Sequence, residues 1–209
     1  MITVVDYGYG NIFSIVSAFN EIGFKCKVSD KENDILNATI IVLPGVGAFK
    51  QAMRSLEIKK LDKIIIKAVA NKKNIIGICL GYQMLFDKSN EFGVYNGLGL
   101  VEGEVRSLKT FDGRYSKIPN VGWRPLILNK ENKIMSDKND NQMFYFVHSF
   151  VPFAKYEKKI SSFIKFNDNK IHASIHYNNI VGFQFHPEKS GKAGLKLLKE
   201  STEYLLNRD

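Results

Sequence analysis

The sequence predicts an α/β fold built on an open, mostly parallel sheet with helices on both faces, plus added antiparallel strands. The first half alternates short β-branched runs with helical patterns, which is typical of right-handed βαβ crossovers and a parallel sheet. The second half changes to short alternating segments separated by Asn, Asp and Gly, which is typical of antiparallel strands. No internal repeat or linker interrupts the 209 residues. We therefore expect a single domain spanning residues 1–209.

The elements of the first half follow from hydrophobic periodicity. Phe24, Cys26 and Val28 alternate with lysines, so they are predicted to share one face of a strand. A helix beginning at Asn11 is predicted to end at Gly23. The predicted elements in chain order are a strand at 2–5, a helix at 11–23, a strand at 24–28, a strand at 39–43, a helix at 59–73 and a strand at 74–79.

The elements of the second half are short and alternate between apolar and polar residues. Four segments are predicted to be antiparallel strands added to the parallel core. A final helix is expected from about Lys189 to Leu206. The four segments are "LGLVEGEVRSL" (98–108), "NQMFYFVHSF" (141–150), "KIHASIHY" (170–177) and "NIVGFQF" (179–185).

The composition is that of an ordinary globular protein, with 44% hydrophobic and 24% charged residues. No apolar run approaches the ~20 residues that a membrane helix requires. The start, "MITVVDYGYG", has neither a basic leader nor a small-residue cleavage site. Cys26 and Cys79 are too few for a disulfide framework. We expect a cytoplasmic protein with free thiols and no membrane association.

The formal net charge of +9 raises nucleic-acid binding as an alternative function. Base readout and bidentate phosphate contacts favour arginine over lysine, and the lysines here are interspersed with acids and asparagines rather than gathered in a stripe. A solvated lysine-rich surface with no nucleic-acid partner is the preferred interpretation, and salt-dependent binding would reveal the alternative. The only arginines are Arg54, Arg106, Arg114, Arg124 and Arg208.

Cys79 lies between two glycines where a predicted strand turns into a helix. Gly77 and Gly81 stand two residues before and two after it, which is the spacing of a nucleophile elbow. The helix N-terminus favours a thiolate, and the Leu80 N–H is free to face an oxyanion. A buried structural cysteine is the alternative. Cys26, on the apolar face of a strand with no glycine or base nearby, is predicted to be structural.

His186 is the candidate base for this thiol. It ends the segment "VGFQF", and Pro187 favours an extended backbone at His186. Glu188 is then predicted to project on the same side as His186, so that its carboxylate orients one imidazole nitrogen while the other nitrogen faces the thiol. A surface salt bridge in a turn is the alternative for this triplet.

The other three histidines are given structural or pocket-lining roles. His148 ends an apolar strand and either lines a pocket or caps the strand. His172 and His176 lie four residues apart on one face of a strand, without further ligands at metal-binding spacing. They are predicted to be structural, and no metal site is expected.

Several motifs together resemble those of the class I glutamine amidotransferases. "PGVGAF" (44–49), "GICLGYQMLF" (77–86) and "FHPEKSG" (185–191) resemble the three family signatures in order. "DYGYGNIFSI", "NGLGL" and "KIPNVGW" narrow the resemblance to the branch that forms the glutaminase subunit of imidazole glycerol phosphate synthase in histidine biosynthesis. The resemblance extends from Met1 to the last helix. It implies hydrolysis of L-glutamine to glutamate and ammonia through a Cys79 thioester, with no metal or redox cofactor.

The resemblance also implies roles for individual residues. Cys79 would be the nucleophile, His186 the general base and acid, and Glu188 the orienting carboxylate. Without the resemblance, Gln83 would be interpreted as a polar residue of the first helical turn and Glu91 as a solvated acid. The implied substrate contacts are the oxyanion donors Leu80, Gly45, Val46 and Gly47, the side chains of Gln83 and Glu91 at the amide and amino groups, and the backbone of His148, Ser149 and Phe150 at the α-carboxylate end.

A partner protein is implied as well. Ammonia loses its nucleophilicity once protonated in water, and glutaminases that resemble this chain deliver it through a channel to a bound synthase. Because the sequence holds only the glutaminase, we expect a heterodimer with a separate cyclase subunit of (βα)₈-barrel fold. The resemblance positions Asn11, Trp123 and Lys189 near that interface, although Trp123 as a core aromatic is the alternative.

Two segments depart from the family pattern. Residues 119–124 read Pro-Asn-Val-Gly-Trp-Arg where Pro-His-Met-Gly-Trp-Asn is common, and residues 148–150 read His-Ser-Phe where His-Ser-Tyr is common. Both lie towards the expected synthase face, so they leave the identity of the ammonia acceptor open. An ammonia-supplying subunit of a sugar amidotransferase in surface-polysaccharide biosynthesis is the nearest alternative.

Two alternatives come from other functional classes. A non-catalytic scaffold would keep the fold and bind a synthase without hydrolysing glutamine, but the intact set of Cys79, His186 and Glu188 argues against it. A cysteine peptidase on the same fold is disfavoured by the glutamine-pocket candidates Gln83 and Glu91.

Overall fold

The protein is described by a computed structural model that covers residues 1–111 and 118–207. Lys117 of the "KIPNVGW" motif, Arg114 and Arg208 lie outside the described residues. The strands within these ranges are β1 (Ile2–Val5), β2 (Cys26–Ser29), β3 (Ile40–Leu43), β4 (Asn74–Ile78), β5 (Phe86–Ser89), β6 (Tyr95–Asn96), β7 (Val101–Ser107), β8 (Asn120–Pro125), β9 (Ile127–Leu128), β10 (Met143–His148), β11 (Phe150–Ala154), β12 (Ile160–Phe166), β13 (Asn169–Tyr177) and β14 (Ile180–Phe183). The helices are α1 (Ile12–Glu21), α2 (Glu32–Leu36), α3 (Phe49–Ile58), α4 (Leu61–Ala70), α5 (Leu80–Met84) and α6 (Gly191–Leu206).

Eight strands form the central sheet in the order β2-β1-β3-β4-β14-β13-β12-β9. The strands from β2 to β14 run parallel, and β13, β12 and β9 are added antiparallel. This arrangement confirms the predicted mostly parallel sheet with antiparallel additions. The segment "NIVGFQF" was predicted to be an antiparallel strand. That prediction is confirmed for its pairing with β13 and wrong for its pairing with β4, because β14 is antiparallel to β13 but parallel to β4. Its four residues are buried on both faces, as central parallel strands are.

Helices cover both faces of this sheet, as predicted. Within β3, Ile40 and Val42 belong to one hydrophobic cluster and Ile41 and Leu43 to the other, as the alternation of side chains along a strand requires. The first cluster is closed by α1 and α6, and the second by α2, α3, α4 and α5. Each fully buried aliphatic side chain stabilises the fold by about 1.5–3 kcal/mol. The packing on both faces of the sheet therefore fixes the positions of the strand ends.

The edge strand β2 departs from its predicted pattern. It begins at Cys26, and Phe24 and Cys26 pack against the first cluster as partly buried side chains. Val28, predicted to lie on the same buried face, is 43% exposed. Because β2 is the outermost strand of the sheet, it has a strand on one side only.

The helix ends follow local capping. Asn11 begins α1 by accepting the Ser14 N–H at its Oδ1 at 3.2 Å, which is the usual role of an N-cap asparagine. The helix ends at Glu21, ahead of Gly23, whose φ is +89°. The helix predicted at 59–73 is shorter, and α6 begins at Gly191 rather than Lys189. Helix α3 was not predicted from the sequence.

Two small sheets accompany the central one. The strand pair β10–β8 is antiparallel, and the second small sheet has the order β11-β7-β5-β6. Only some of the second-half segments therefore extend the central sheet, while 98–108 and 141–150 contribute to the small sheets instead. No helix in the described ranges has the length and apolar character to cross a bilayer.

Candidate active site

Cys79 stands at a sharp turn between β4 and α5. Its backbone has φ +54° and ψ −110°, a conformation that a side chain adopts only where the surroundings enforce it. Its N–H donates to the Phe183 carbonyl at 2.7 Å, which ties the turn to β14. A Cβ on Gly81 would lie 1.9 Å from the Leu43 oxygen, and one on Gly77 would lie 2.8 Å from the Tyr82 Cα. The two glycines are therefore required by close packing on either side of the thiol.

His186 and Glu188 form a buried pair beside this turn. The His186 Nδ1–H donates to Glu188 Oε1 at 2.7 Å, and the two side chains are 2% and 1% exposed. His186 has the predicted extended backbone and Glu188 meets its ring as predicted, but the chain does not stay extended, because Pro187–Lys189 forms a 3₁₀ turn. Proline fits the first position of such a turn, since its φ is already helical and its missing N–H has no acceptor to lose there.

The second nitrogen of His186 is left for the thiol. Among the described residues, His186 Nε2 is buried without a hydrogen-bond partner, and His186 and Cys79 line the same cavity. Burial alone would disfavour the imidazolium, but the interactions of the ring with Cys79 and Glu188 outweigh it and raise the pKa of His186 to about 10. The arrangement favours an imidazolium beside Cys79 at neutral pH.

A cavity of about 340 Å³ opens beside Cys79, within the size range of small-molecule sites. All the predicted substrate-binding residues line it except Gly45. That residue packs behind the elbow, where a Cβ would come 2.5 Å from the Gly81 nitrogen. The lining residues are Val46, Gly47, Cys79, Leu80, Gln83, Glu91, Pro119, Val147, His148, Ser149, Phe150 and His186.

Two polar side chains in this cavity are held in place by the backbone. Gln83 is 5% exposed, and its Nε2 donates to the Phe150 carbonyl at 2.9 Å. Glu91 accepts the Phe49 N–H at Oε2 at 2.6 Å. Burial raises the pKa of Glu91, against the opposing effect of that hydrogen bond. Glu91 is therefore a partly buried carboxylate at the cavity and not a freely solvated loop acid.

His148 belongs to a chain of hydrogen bonds. The proton positions in this chain follow from the groups that can only accept or can only donate. The Phe150 carbonyl can only accept, so His148 Nδ1 at 2.9 Å carries the proton. Arg124 Nε can only donate, to Asn120 Oδ1 at 2.9 Å, so the Asn120 amide nitrogen donates to His148 Nε2 at 2.9 Å. Burial lowers the pKa of His148 to about 4, which keeps the ring neutral.

Asn120 and Arg124 are two of the residues that depart from the family pattern. Their part in the site was missed from the sequence, because it arises only when β8 pairs with β10 and sets Asn120 opposite His148. Pro119 and Val147 were missed for the same reason. The one signal in the sequence was that Asn120 and Arg124 depart from the family pattern. The prediction related that departure to the expected synthase face and not to the cavity.

The remaining histidines and Cys26 lie away from this cavity. His172 is buried, its Nδ1 accepts the Ala154 N–H at 3.3 Å, and burial lowers its pKa to about 4. His176 Nε2 lies 3.1 Å from the Asn178 carbonyl oxygen. Burial raises the pKa of Cys26 to about 11. Within the described ranges, no three His, Cys, Asp or Glu side chains are arranged to hold a metal ion.

The three predicted interface residues lie outside the cavity lining. Asn11 caps α1, and Lys189 ends the 3₁₀ turn that follows His186. Trp123 is 47% exposed on β8 and makes an edge contact with Tyr145. The alternative that Trp123 is a core aromatic is therefore wrong.

Comparisons with known proteins cover nearly the whole chain. Residues 3–203 match the family model described as glutamine amidotransferase class-I. "Imidazole glycerol phosphate synthase subunit HisH 2" of Vibrio vulnificus (strain YJ016) is 40% identical over 206 residues, covering 98% of this chain and 94% of that protein. "Imidazole glycerol phosphate synthase subunit HisH" of Aquifex aeolicus (strain VF5) is 41% identical over 197 residues, covering 94% and 93%.

Solved structures of lower identity show the same fold. PurLQS from Thermotoga maritima aligns with a TM-score of 0.73 at 21% identity, covering 98% of both chains. The glutaminase domain of Trypanosoma brucei CTPS aligns with a TM-score of 0.65 at 14% identity, covering 97% of this chain and 93% of that one. With the thiol and imidazole lining one cavity of this fold, the carboxylate bonded to the imidazole, and the family model matching from residue 3 to residue 203, the chain belongs to the class I glutamine amidotransferases.

Proposed function

We propose that this chain is a glutaminase subunit that hydrolyses L-glutamine to glutamate and ammonia and supplies the ammonia to an imidazole glycerol phosphate synthase. The observation that carries the proposal is the glycine-flanked Cys79 beside the buried His186–Glu188 pair at the cavity. Relatives 35–41% identical along nearly their whole length, named as subunits of that synthase, support the choice of pathway.

In the proposed reaction, the Cys79 thiolate attacks the side-chain carbonyl carbon of glutamine. The oxyanion that forms is held by the Leu80 N–H, the first of α5 and therefore without an acceptor in its own helix, and by the loop containing Val46 and Gly47. Each such donor contributes about 3–4 kcal/mol in comparable sites. Protonated His186 then gives its proton to the departing ammonia, and a water deprotonated by the same ring hydrolyses the thioester to glutamate.

The cavity residues supply a consistent set of substrate contacts. Both amide hydrogens of Gln83 are committed, to the Phe150 carbonyl and to Gln184 Oε1 at 3.0 Å, so its own carbonyl oxygen is left to accept from the substrate amide. One oxygen of Glu91 holds the Phe49 N–H, and the other is available to the substrate ammonium. Backbone groups at 148–150 are proposed to bind the α-carboxylate end.

The proposed partner is a separate cyclase subunit of (βα)₈-barrel fold. The outward surface of the β8–β10 pair carries cross-strand apolar pairs, with Val121 opposite Val147 and Trp123 opposite Tyr145. We call Val121, Trp123, Met143 and Val147 the docking face; they are 48%, 47%, 45% and 39% exposed. Exposed apolar patches of this kind mark binding surfaces. Because Val147 also lines the cavity, ammonia released there would be close to a subunit bound on this face.

Asn11 and Lys189 are proposed to contribute to the same interface. Asn120 and Arg124, which depart from the family pattern, lie on β8 beside the docking face. That observation keeps a second acceptor open, namely a sugar amidotransferase of surface-polysaccharide biosynthesis. A cytoplasmic location is proposed, since the reaction needs a reduced thiol at Cys79 and both cysteines are free.

Glutamate release from glutamine tests the proposed chemistry. We expect the Cys79→Ser variant to lose activity by a factor of about 10⁴ or more, as removal of a nucleophile does in related triads. Cys26→Ser is the matched control and should keep wild-type activity, because Cys26 lies on the edge strand away from the cavity. Equal activity of Cys79→Ser and wild type would refute the mechanism.

Addition of candidate partners tests the pathway. We expect weak glutaminase activity from the chain alone and strong stimulation when the cyclase subunit and its acceptor are present. Stimulation by a sugar amidotransferase but not by the cyclase, together with failure to rescue a histidine-requiring mutant, would reassign the acceptor.

A further inference from the structure

A fully buried glutamine lies behind the nucleophile, outside the lining of the cavity. Gln184 follows the last ladder pair between β14 and β4, Phe183 with Ile78, and so stands beside Cys79. Its backbone N–H is fixed by the Ala173 carbonyl at 2.8 Å. Its side-chain nitrogen lies 3.9 Å from the Cys79 sulfur, at the long end of the range for a hydrogen bond to sulfur.

The orientation of this amide follows from its neighbours. Nitrogen and oxygen of a side-chain amide are told apart by their hydrogen-bond partners. The Phe150 carbonyl can only accept, so the Gln83 atom 2.9 Å from it is Nε2. The Gln184 atom 3.0 Å from Gln83 Nε2 must then be an acceptor, Oε1. The remaining terminal atom of Gln184, the one that faces sulfur, is therefore the NH₂ donor.

The same carbonyl connects this amide to the rest of the site. Phe150 accepts from His148 Nδ1 as well as from Gln83, and His148 is held in turn by Asn120. A side chain held in this way loses little further freedom when it binds the sulfur. A donor aimed at sulfur stabilises the thiolate more than the thiol, because hydrogen bonds to an ionised acceptor are the stronger ones.

We propose that Gln184 is a positioning residue that holds the Cys79 thiolate towards the substrate carbonyl. The positioning role in catalysis rests on the proposed glutaminase function, whereas the N–H···S contact does not. Gln184 does not line the cavity, so it acts through Cys79 and not by binding glutamine.

The test is the rate at which iodoacetamide alkylates Cys79 in the Cys26→Ser background, measured from pH 5 to 9 without glutamine. Gln184→Met removes the donor at similar length, and Gln184→Glu keeps an acceptor for Gln83 while removing the donor. We expect alkylation at pH 7 to slow by about tenfold in Gln184→Met, the lower end for one hydrogen bond to a charged acceptor, because the contact is long. Gln184→Glu should be slower still, and both profiles should move to higher pH.

Ser174→Ala is the matched control, since Ser174 is buried on the neighbouring strand β13 and bonds Ser162 at 2.6 Å without contacting Cys79. It should leave alkylation unchanged. In glutaminase assays Gln184→Glu should lose kcat by a similar factor and keep KM within about twofold, because it keeps the acceptor for Gln83 and removes only the interaction with the nucleophile.

Folding is monitored by Tm, and Gln184→Asn, which keeps a donor on a shorter side chain, should recover part of the alkylation rate. Wild-type alkylation in folded Gln184→Met and Gln184→Glu would overturn the proposal, whether or not the protein hydrolyses glutamine. Slowed alkylation in a protein without glutaminase activity would overturn the proposed function while the N–H···S contact stood.

Discussion

At the residue scale, the chemistry of the site depends on how His186 divides its two nitrogens. Nδ1 is committed to Glu188 at 2.7 Å, and Nε2 is buried without a hydrogen-bond partner among the described residues, beside the cavity that Cys79 also lines. A histidine that is bonded to Glu188 and lies beside Cys79 holds its proton far more tightly than a histidine in water, since its pKa is raised to about 10. The proton that His186 is proposed to give to the departing ammonia is therefore already on the imidazole ring in the resting protein.

This protonation makes stability depend on pH in a defined direction. The pKa of His186 is about 10 in the folded protein and about 6.5 when unfolded, so between these values the folded state binds the extra proton. Its contribution is fully present below pH ~6.5 and is lost as the pH rises through ~10. We expect the stability difference between wild type and His186→Gln to shrink between pH ~8.5, where the unfolded Cys79 thiol has itself lost its proton, and pH ~10, by up to ~1.4 kcal/mol per pH unit.

Urea unfolding of both proteins at intervals from pH 6.5 to 10 measures this difference, and the packing effect of the substitution cancels because it does not titrate. A difference that stays constant over the window would show that His186 is not protonated in the folded state at neutral pH.

That Cys79, His186 and Glu188 come together was predictable from the sequence, and the residues that hold them were not. Cys79, His186 and Glu188 carry local signals, two glycines around the thiol and an adjacent proline, that are independent of the rest of the fold. Gln184 and Asn120 carry no such signal. An amide is given its role by the group it meets, and those groups arrive from β4 and β10 only after the strands pair.

At the element scale, the elbow depends on a helix packed closely on a strand end. Helix α5 has five residues, too few to be stable on its own, so its position comes from packing. The Gly81 backbone touches the Leu43 carbonyl closely enough that a Cβ would overlap the oxygen.

We expect Gly81→Ala to destabilise the protein by about 3 kcal/mol or more, at the upper end for overpacked sites, and to slow alkylation of Cys79 because the turn must shift. Gly23→Ala is the control. Gly23 has φ +89° but no atom within 4 Å of an added Cβ, so it should cost only about 1–2 kcal/mol from backbone conformation and leave alkylation unchanged. Thermal unfolding and the alkylation rate measure both effects, and similar losses for the two variants would contradict the packing explanation.

The bounds of strands that are continuous β-branched runs were predicted closely, whereas the strands that pair with them were not. β1 has its predicted bounds, and β4 ends one residue before the prediction. The pairing of β14 was only half right, since an alternating or buried run carries no information about the direction of the strands beside it. The 3₁₀ turn at Pro187 was missed because a proline after His186 is compatible with an extended path as well as with a tight turn.

At the scale of the whole molecule, the docking face is predicted to bind a partner and to contribute little to the stability of the fold. Trp123 is half exposed, so Trp123→Ala should change Tm little and leave Cys79 alkylation at its wild-type rate. Its loss from an interface should weaken binding to the cyclase subunit by about 30-fold, as expected for an aromatic anchor worth about 2 kcal/mol.

Titration calorimetry with the cyclase subunit checks this expectation. Ile58→Ala is the control, because Ile58 is 71% exposed at the end of α3, which packs on the other face of the sheet. Equal binding by Trp123→Ala and wild type would remove the docking face from the proposed interface. That the whole chain is one domain stays a prediction, with the family model spanning residues 3–203.

The position of β14 in the middle of the sheet has a consequence for synthesis of the chain. β4 has β3 on one side and β14 on the other, yet β14 is made roughly 100 residues later, which is about 5–20 s of translation. Throughout that interval the nascent polypeptide carries an open β4 edge, a template for aggregation that ribosome-associated chaperones are suited to shield. The thiol meets its imidazole only after β14 has been made, so a copy that stops short of His186 holds Cys79 without the base that the proposed mechanism requires.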